Sequence, residues 1–160
     1  MMSKIAQVTL VCAICTLTTE GLVFAQSIDV VGLDGRKTPV SLQGLERKTV
    51  ISGDRGIKTT HQGVALRDLL LRAGVPLGDA LKGKALARVV IASAVDGYQV
   101  AFAIAEIDAA FNDHLILISD TRNGQPLLPD SGPLQLVVPQ DKRPARWVRQ
   151  LTTLEVRQLP

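Results

Sequence analysis

The stretch "GPLQLVVPQDKRPARWVRQLTTLEV", Gly132–Val156, organises the chain. An apolar run, Leu134–Val138, reads as a buried strand and stops at Pro139, which has no N–H to extend a sheet ladder. A loop then gathers Lys142, Arg143, Arg146 and Arg149 beside Trp147, the only tryptophan. A second strand pattern follows at Leu151–Val156. Loops that follow strands often carry binding residues, and arginine suits phosphate because its planar fork donates two parallel hydrogen bonds. Trp147 could pack under Arg143 and Arg146 and hold their orientation. The alternative is a charged surface loop, with Trp147 anchored in the core and the arginine stems lying across it.

Three turn signals order the rest. Asp34-Gly35, Asp96-Gly97 and Asn123-Gly124 supply the positive φ angles that tight hairpins need. Strand patterns flank them at Ile28–Val31, Val89–Val95, Tyr98–Phe102 and Leu115–Ile118. Leu66, Leu69, Leu70 and Ala73 mark one face of a helix, with Asp68 and Arg72 spaced to pair on the opposite face. Gly74 caps that helix and Pro76 blocks its continuation. Ile104, Ile107 and Phe111 suggest a second, shorter helix, and a helical turn fits Ala145–Arg149. The sum is α+β: a mixed, mainly antiparallel sheet with a few short helices.

The first 25 residues have the layout of a secretory signal: Lys4, an apolar run from Ile5 to Cys15, and Val23-Phe24-Ala25 as the cleavage site. Gln7, Thr16, Glu20 and Gly21 leave that run short of the roughly 20 apolar residues of a membrane span. No stable membrane insertion is expected after cleavage. No twin-arginine pair precedes the run, so export of an unfolded chain to the periplasm or medium is expected. Both cysteines, Cys12 and Cys15, fall in this segment, so residues 26–160 contain neither a disulfide nor a thiolate ligand. Lys4 and Glu20 cancel, and the net charge of +3 is unchanged by cleavage. A mildly basic exported domain suits an anionic small molecule or an acidic surface. Nucleic acid is disfavoured by the compartment and by the scarcity of aromatic residues.

Catalytic patterns are sparse. No serine sits in a G-x-S-x-G elbow. His61 and His114 lack metal-ligand spacing, and each reads as a solvated loop, turn or strand-edge residue. Glu106 and Asp108 are two residues apart on a helix pattern and do not face each other. Asp96 is accounted for by its turn.

Four segments, in order and in register, resemble the oxidoreductase molybdopterin-binding domain, the central domain of sulfite-oxidase-like enzymes. They are "GVALRDLLLRAGV" (Gly63–Val75), "DGYQVAFAIAEI" (Asp96–Ile107), "NGQPLLPDSGPL" (Asn123–Leu134) and the opening stretch from Gly132. The resemblance covers most of Gly63–Val156. It implies a mixed α+β fold whose basic loop contacts the pterin phosphate. Carried over, Arg143 and Arg146 take the positions of the family's arginine and lysine, and Trp147 takes that of the following aromatic. Tyr98 matches a tyrosine near the pocket. Pro144 stands where the family often has serine, which removes a hydroxyl and an N–H from the phosphate cradle.

The family's molybdenum ligand is a cysteine before the "GV.LRDLL" helix. Here that region reads "VISGDRGIKTTHQGV" and has none, and Ser52, Asp54 or His61 would be a poor substitute for a thiolate. Molybdopterin is thus an implied cofactor and molybdenum an unexpected one.

The candidate binding set is Lys142, Arg143, Arg146, Trp147, Tyr98 and His61, with no residue assigned to catalysis or to a metal. The chain reads as one exported domain, 26–160, that serves as a non-catalytic binding or accessory module for a small anionic ligand. Two alternatives stand beside it. One is a minimal or subunit form of a molybdopterin-dependent oxidoreductase. The other is a scaffold whose basic face docks on an acidic periplasmic protein.

Overall fold

The structure, a computed structural model, describes residues 26–54 and 57–160. The expected signal segment, 1–25, lies outside the described residues. In chain order the elements are β1 (Ser27–Val31), β2 (Lys37–Ser41), β3 (Arg47–Asp54), β4 (Ile57–Ala65), α1 (Leu66–Arg72), β5 (Arg88–Ala94), β6 (Gln99–Ala103), α2 (Ile104–Ile107), β7 (Leu117–Arg122), β8 (Gln125–Pro126), β9 (Gln135–Val137) and β10 (Leu151–Gln158).

The strands form two sheets. The first runs β2-β1-β10-β5-β6, and its β1–β10 pair, with Val30 opposite Leu154, is the one parallel ladder among the described strands. The second runs β3-β4-β7, with β8 and β9 sharing the far edge of β7. A mixed, mainly antiparallel architecture with few helices is therefore what the chain adopts.

Alternation builds the first sheet. Val90, Ala92 and Ala94 of β5 are buried, as are Leu151, Leu154 and Val156 of β10. A register shift between Leu151 and Thr153 keeps these apolar groups on the core side. α1 buries Leu66, Leu69 and Leu70, the spacing of one helical face. Gly74, at φ +80°, ends it: its N–H reaches Leu71 O, and the N–H of Val75 reaches Leu70 O. Full burial of each such leucine is worth about 1.5–3 kcal/mol.

Several expectations change. Lys37–Ser41, Arg47–Asp54 and Ile57–Ala65 form strands that were not anticipated, and β7 lies at Leu117–Arg122 rather than Leu115–Ile118. α2 is a single turn, and Phe111 lies beyond it, half exposed. Asp68 and Arg72 do not pair. Arg72 instead donates to Ser41 O at 2.9 Å and Gln43 O at 2.6 Å, at and just beyond the end of β2, while Asp68 lies 3.7 Å from Arg67.

β4 and β7 approach unusually closely. A Cβ on Gly63 would stand 1.9 Å from Ile118 O. The ladder shifts register between Gln62 and Gly63 at the same point, and Ser119 Oγ donates to Gln62 O and Thr121 O across it. This packing fixes the wall that carries His61.

Candidate functional site

Pro139 ends the segment that follows β9, and the chain makes an excursion that returns at β10. Its two feet are tied together. Leu136 N–H donates to Val148 O and Leu151 N–H donates to Leu134 O, both at 2.8 Å. Val138 and Val148 are buried beneath it. The excursion is thus a closed loop held from below, with a short 3₁₀ turn at Pro144–Arg146.

Two side chains pull this loop onto the first sheet. Arg146 donates to both oxygens of Asp141, at 2.8 and 2.7 Å, and to Glu106 Oε2 of α2 at 2.9 Å. Its guanidinium lies 4.9 Å from the centroid of the Phe102 ring. The Asp141 and Glu106 carboxylates raise its already high pKa. Tyr98 donates its hydroxyl to Ala145 O at 2.5 Å. A third side chain ties the loop to the second sheet. Trp147 Nε1 donates to Val138 O at 2.9 Å, and the indole meets His61 edge to face, 5.3 Å between centroids at 89°.

The loop therefore forms one wall of a cleft of about 630 Å³, with the β3–β4 hairpin as the other. Lys142, Arg143 and Arg149 come from the loop, Arg122 from the end of β7, and Ser52, Thr59 and His61 from the hairpin. Asp130 and Asp141 also border it. Asp141 is already committed to Arg146, so the cleft is predominantly cationic. Such a concave site with convergent positive charge suits an anion of small-molecule size.

The six candidates thus divide. Lys142, Arg143, Trp147 and His61 line the cleft together. Arg146 does not. With three donors committed to two carboxylates it braces the loop from outside the cleft lining. Tyr98 also stands outside, in a neighbouring trough behind Pro144 and Trp147. Arg146 packs on Phe102 rather than on Trp147.

His61 is the largest departure from expectation. Rather than being solvated it is 2% exposed, in the middle of β4, directly opposite Arg122 in the β4–β7 ladder. Ser52 Oγ lies 3.3 Å from its Nε2, and its Nδ1 is buried without a hydrogen-bond partner. Burial and the charge of Arg122 both lower its pKa, which keeps the ring neutral at physiological pH.

His114 is exposed, as a turn residue should be, and does not line the cleft. Arg122 and Arg149 are cleft residues absent from the candidate set. Arg149 was visible in the cationic run; Arg122 was signalled only by its place beside an Asn-Gly turn.

Comparison with known proteins gives the family. No curated protein sequence matches the chain. Among solved structures, the sulfane dehydrogenase SoxCD from Paracoccus pantotrophus superposes with a TM-score of 0.60 at 16% identity, over 82% of this chain and 38% of that one. The likeness is one of fold, and the chain spans well under half of its neighbour's length. The family model for the oxidoreductase molybdopterin binding domain matches residues 25–160, the two-sheet domain together with its cationic loop. The chain belongs to the oxidoreductase molybdopterin binding domain family.

Proposed function

We propose that this domain is an exported binding module that takes a small phosphorylated or otherwise anionic ligand in the cleft between the β3–β4 hairpin and the 139–150 loop, without molybdenum catalysis. The observation that carries the reading is the convergence of Arg122, Lys142, Arg143 and Arg149 on one cleft. Arg146 and Trp147 prepay the ordering of the loop that presents them. A pre-formed cationic site binds an anion with less loss of side-chain freedom than a flexible one.

The family implies a molybdopterin, and its two ends fare differently here. The cationic rim fits the phosphate of such a group. The donor set does not fit a thiolate-held molybdenum. Residues 26–160 contain no cysteine, and the described lining of the cleft offers only the Ser52, Thr59 and Ser131 hydroxyls, the Gln135 amide, the imidazole of His61 and carboxylates. Among the described residues no three His, Cys, Asp or Glu side chains are placed to share a metal ion. Oxygen and nitrogen donors are poor replacements for a soft thiolate. No reaction step is therefore routed through a metal.

The test is elemental analysis together with pterin fluorescence after oxidation, on mature protein isolated gently from its native compartment. The reading expects a bound anion, pterin or other, with substoichiometric molybdenum. Molybdenum at full stoichiometry would overturn it and restore the oxidoreductase alternative.

A further inference from the structure

We propose that anion capture in the cleft is proton-linked through His61: the free protein holds this histidine neutral, and the bound anion admits it as the imidazolium. The inference rests on the anion-binding reading above and adds its regulation.

The starting observation is the buried, unpartnered nitrogen. His61 is almost wholly enclosed, yet Nδ1 has no acceptor or donor in reach. A buried polar atom left unpaired costs about 1–3 kcal/mol, so native structures seldom keep one without a use. A neutral imidazole offers one donor and one acceptor, whereas the imidazolium offers two donors and a charge. The charged form needs an anionic neighbour, and no described residue of the free protein supplies one.

Each element packed around the ring can be checked. β3 brings Ser52, which is uncharged, and Val50, its partner in the ladder. β7 brings Arg122, a like charge. The loop brings Trp147, perpendicular to the imidazole, and its cations Lys142, Arg143 and Arg149 border the same cleft. Of the two carboxylates there, Asp141 is bound by Arg146, and Asp130 accepts from Ser131 Oγ at 2.9 Å. Among the described residues, the unpaired charges bordering the ring oppose a proton.

An anion seated among those cations reverses the balance. It offsets Arg122 and adds an attractive charge in a partly enclosed, low-dielectric site. The affinity of His61 for a proton must then rise on binding. By linkage, the affinity of the cleft for the anion must rise equally as pH falls. The device selects anions most strongly on the acid side of neutrality, and the other histidine of the chain, exposed His114, does not line the cleft.

Sulfate is the appropriate probe, because it stays dianionic across the range and any proton taken up belongs to the protein. Isothermal titration calorimetry between about pH 6 and pH 8, in buffers of different ionisation enthalpy, counts that proton directly. The expected result is net proton uptake and an affinity that strengthens by up to roughly tenfold per pH unit as pH is lowered. His61→Gln should bind sulfate with a flat pH profile and no uptake, and His114→Gln should behave like the parent protein. Should His61→Gln fail to fold, the ring nitrogens of His61 in the parent protein, followed by NMR with and without sulfate, report the same protonation. Binding of equal strength across the range, with no proton taken up, overturns the proton link and leaves the anion cleft standing. Failure of sulfate to bind at any pH overturns the anion cleft itself, and the link with it.

Discussion

Arg143 and Arg146 lie three residues apart and carry the same charge, yet their replacement by methionine should have opposite consequences. Arg146 makes three charge-assisted hydrogen bonds to Asp141 and Glu106 and packs on Phe102. A buried bond of this kind is worth about 1.5–3 kcal/mol. Here the side-chain exposures are 36% for Arg146, 18% for Asp141 and 44% for Glu106, so solvent screening reduces each bond to roughly 0.5–1 kcal/mol. Methionine keeps much of the packing on Phe102, which leaves a net loss of about 2 kcal/mol. For a domain of this size that lowers Tm by about 8 °C. Arg143 makes no ion pair among the described residues, and Arg143→Met should fall within about 0.5 kcal/mol of the parent. Thermal unfolding followed by circular dichroism, with sulfate titration on the same samples, separates the two. Arg143→Met should weaken anion binding with Tm unchanged. Arg146→Met should lower Tm, and it should weaken binding only through a loosened loop. An Arg146→Met protein of parental Tm with binding abolished would refute the division between brace and ligand contact.

Gly63→Ala should be among the most damaging single changes in the second sheet, since the new Cβ meets the Ile118 and Ser119 backbone at 1.9–2.7 Å; a loss of at least about 3 kcal/mol in urea unfolding is expected. Charge reversal of Lys142 and Arg143 together, to glutamate, should abolish sulfate binding while the circular dichroism spectrum stays native. Stability should fall in two acid steps. The pKa of His61 is depressed in the folded state, so its contribution is complete above the unfolded value of about 6.5 and is lost as pH falls toward the lower folded value, a step that His61→Gln removes. Burial opposes the charge on Asp120, but hydrogen bonds from Arg47 and Thr121 prevail and depress its pKa, so its contribution holds above about pH 4 and is lost below that, a step that Asp120→Asn reduces.

The parts of the fold that were legible in the sequence are those in which local chemistry repeats the tertiary demand. Leu66, Leu69 and Leu70 mark a helix because only one face of α1 meets the core, and Gly74 ends it because only glycine takes its φ easily. The Asp-Gly and Asn-Gly pairs lie in the turns between β1 and β2, β5 and β6, and β7 and β8. The β3–β4 hairpin was not legible, because "RKTVISGD" and "IKTTHQGVA" interleave polar residues on both faces. A period-two reading of β4 would have placed Thr59, His61 and Gly63 on its buried side, but threonine and histidine do not announce burial. Arg122 reaches His61 only through strand register, and Arg146 reaches Glu106 only through the docking of α2. Both are contacts between segments distant in the chain, which no local pattern encodes. The cationic run was read correctly as a loop, but which of its arginines is free depends on acceptors that the run itself does not contain.

The parallel ladder between β1 and β10 has a consequence for biogenesis. β10 occupies the centre of the first sheet, between β1 and β5, yet it is the last strand of the domain to be synthesised. Until residues 151–158 leave the ribosome, the β1–β2 and β5–β6 hairpins have no common neighbour and the central groove between them stays open. A nascent chain with this topology cannot close its core early. It therefore stays pliable through translation, and the pair of strands that meets last completes the sheet.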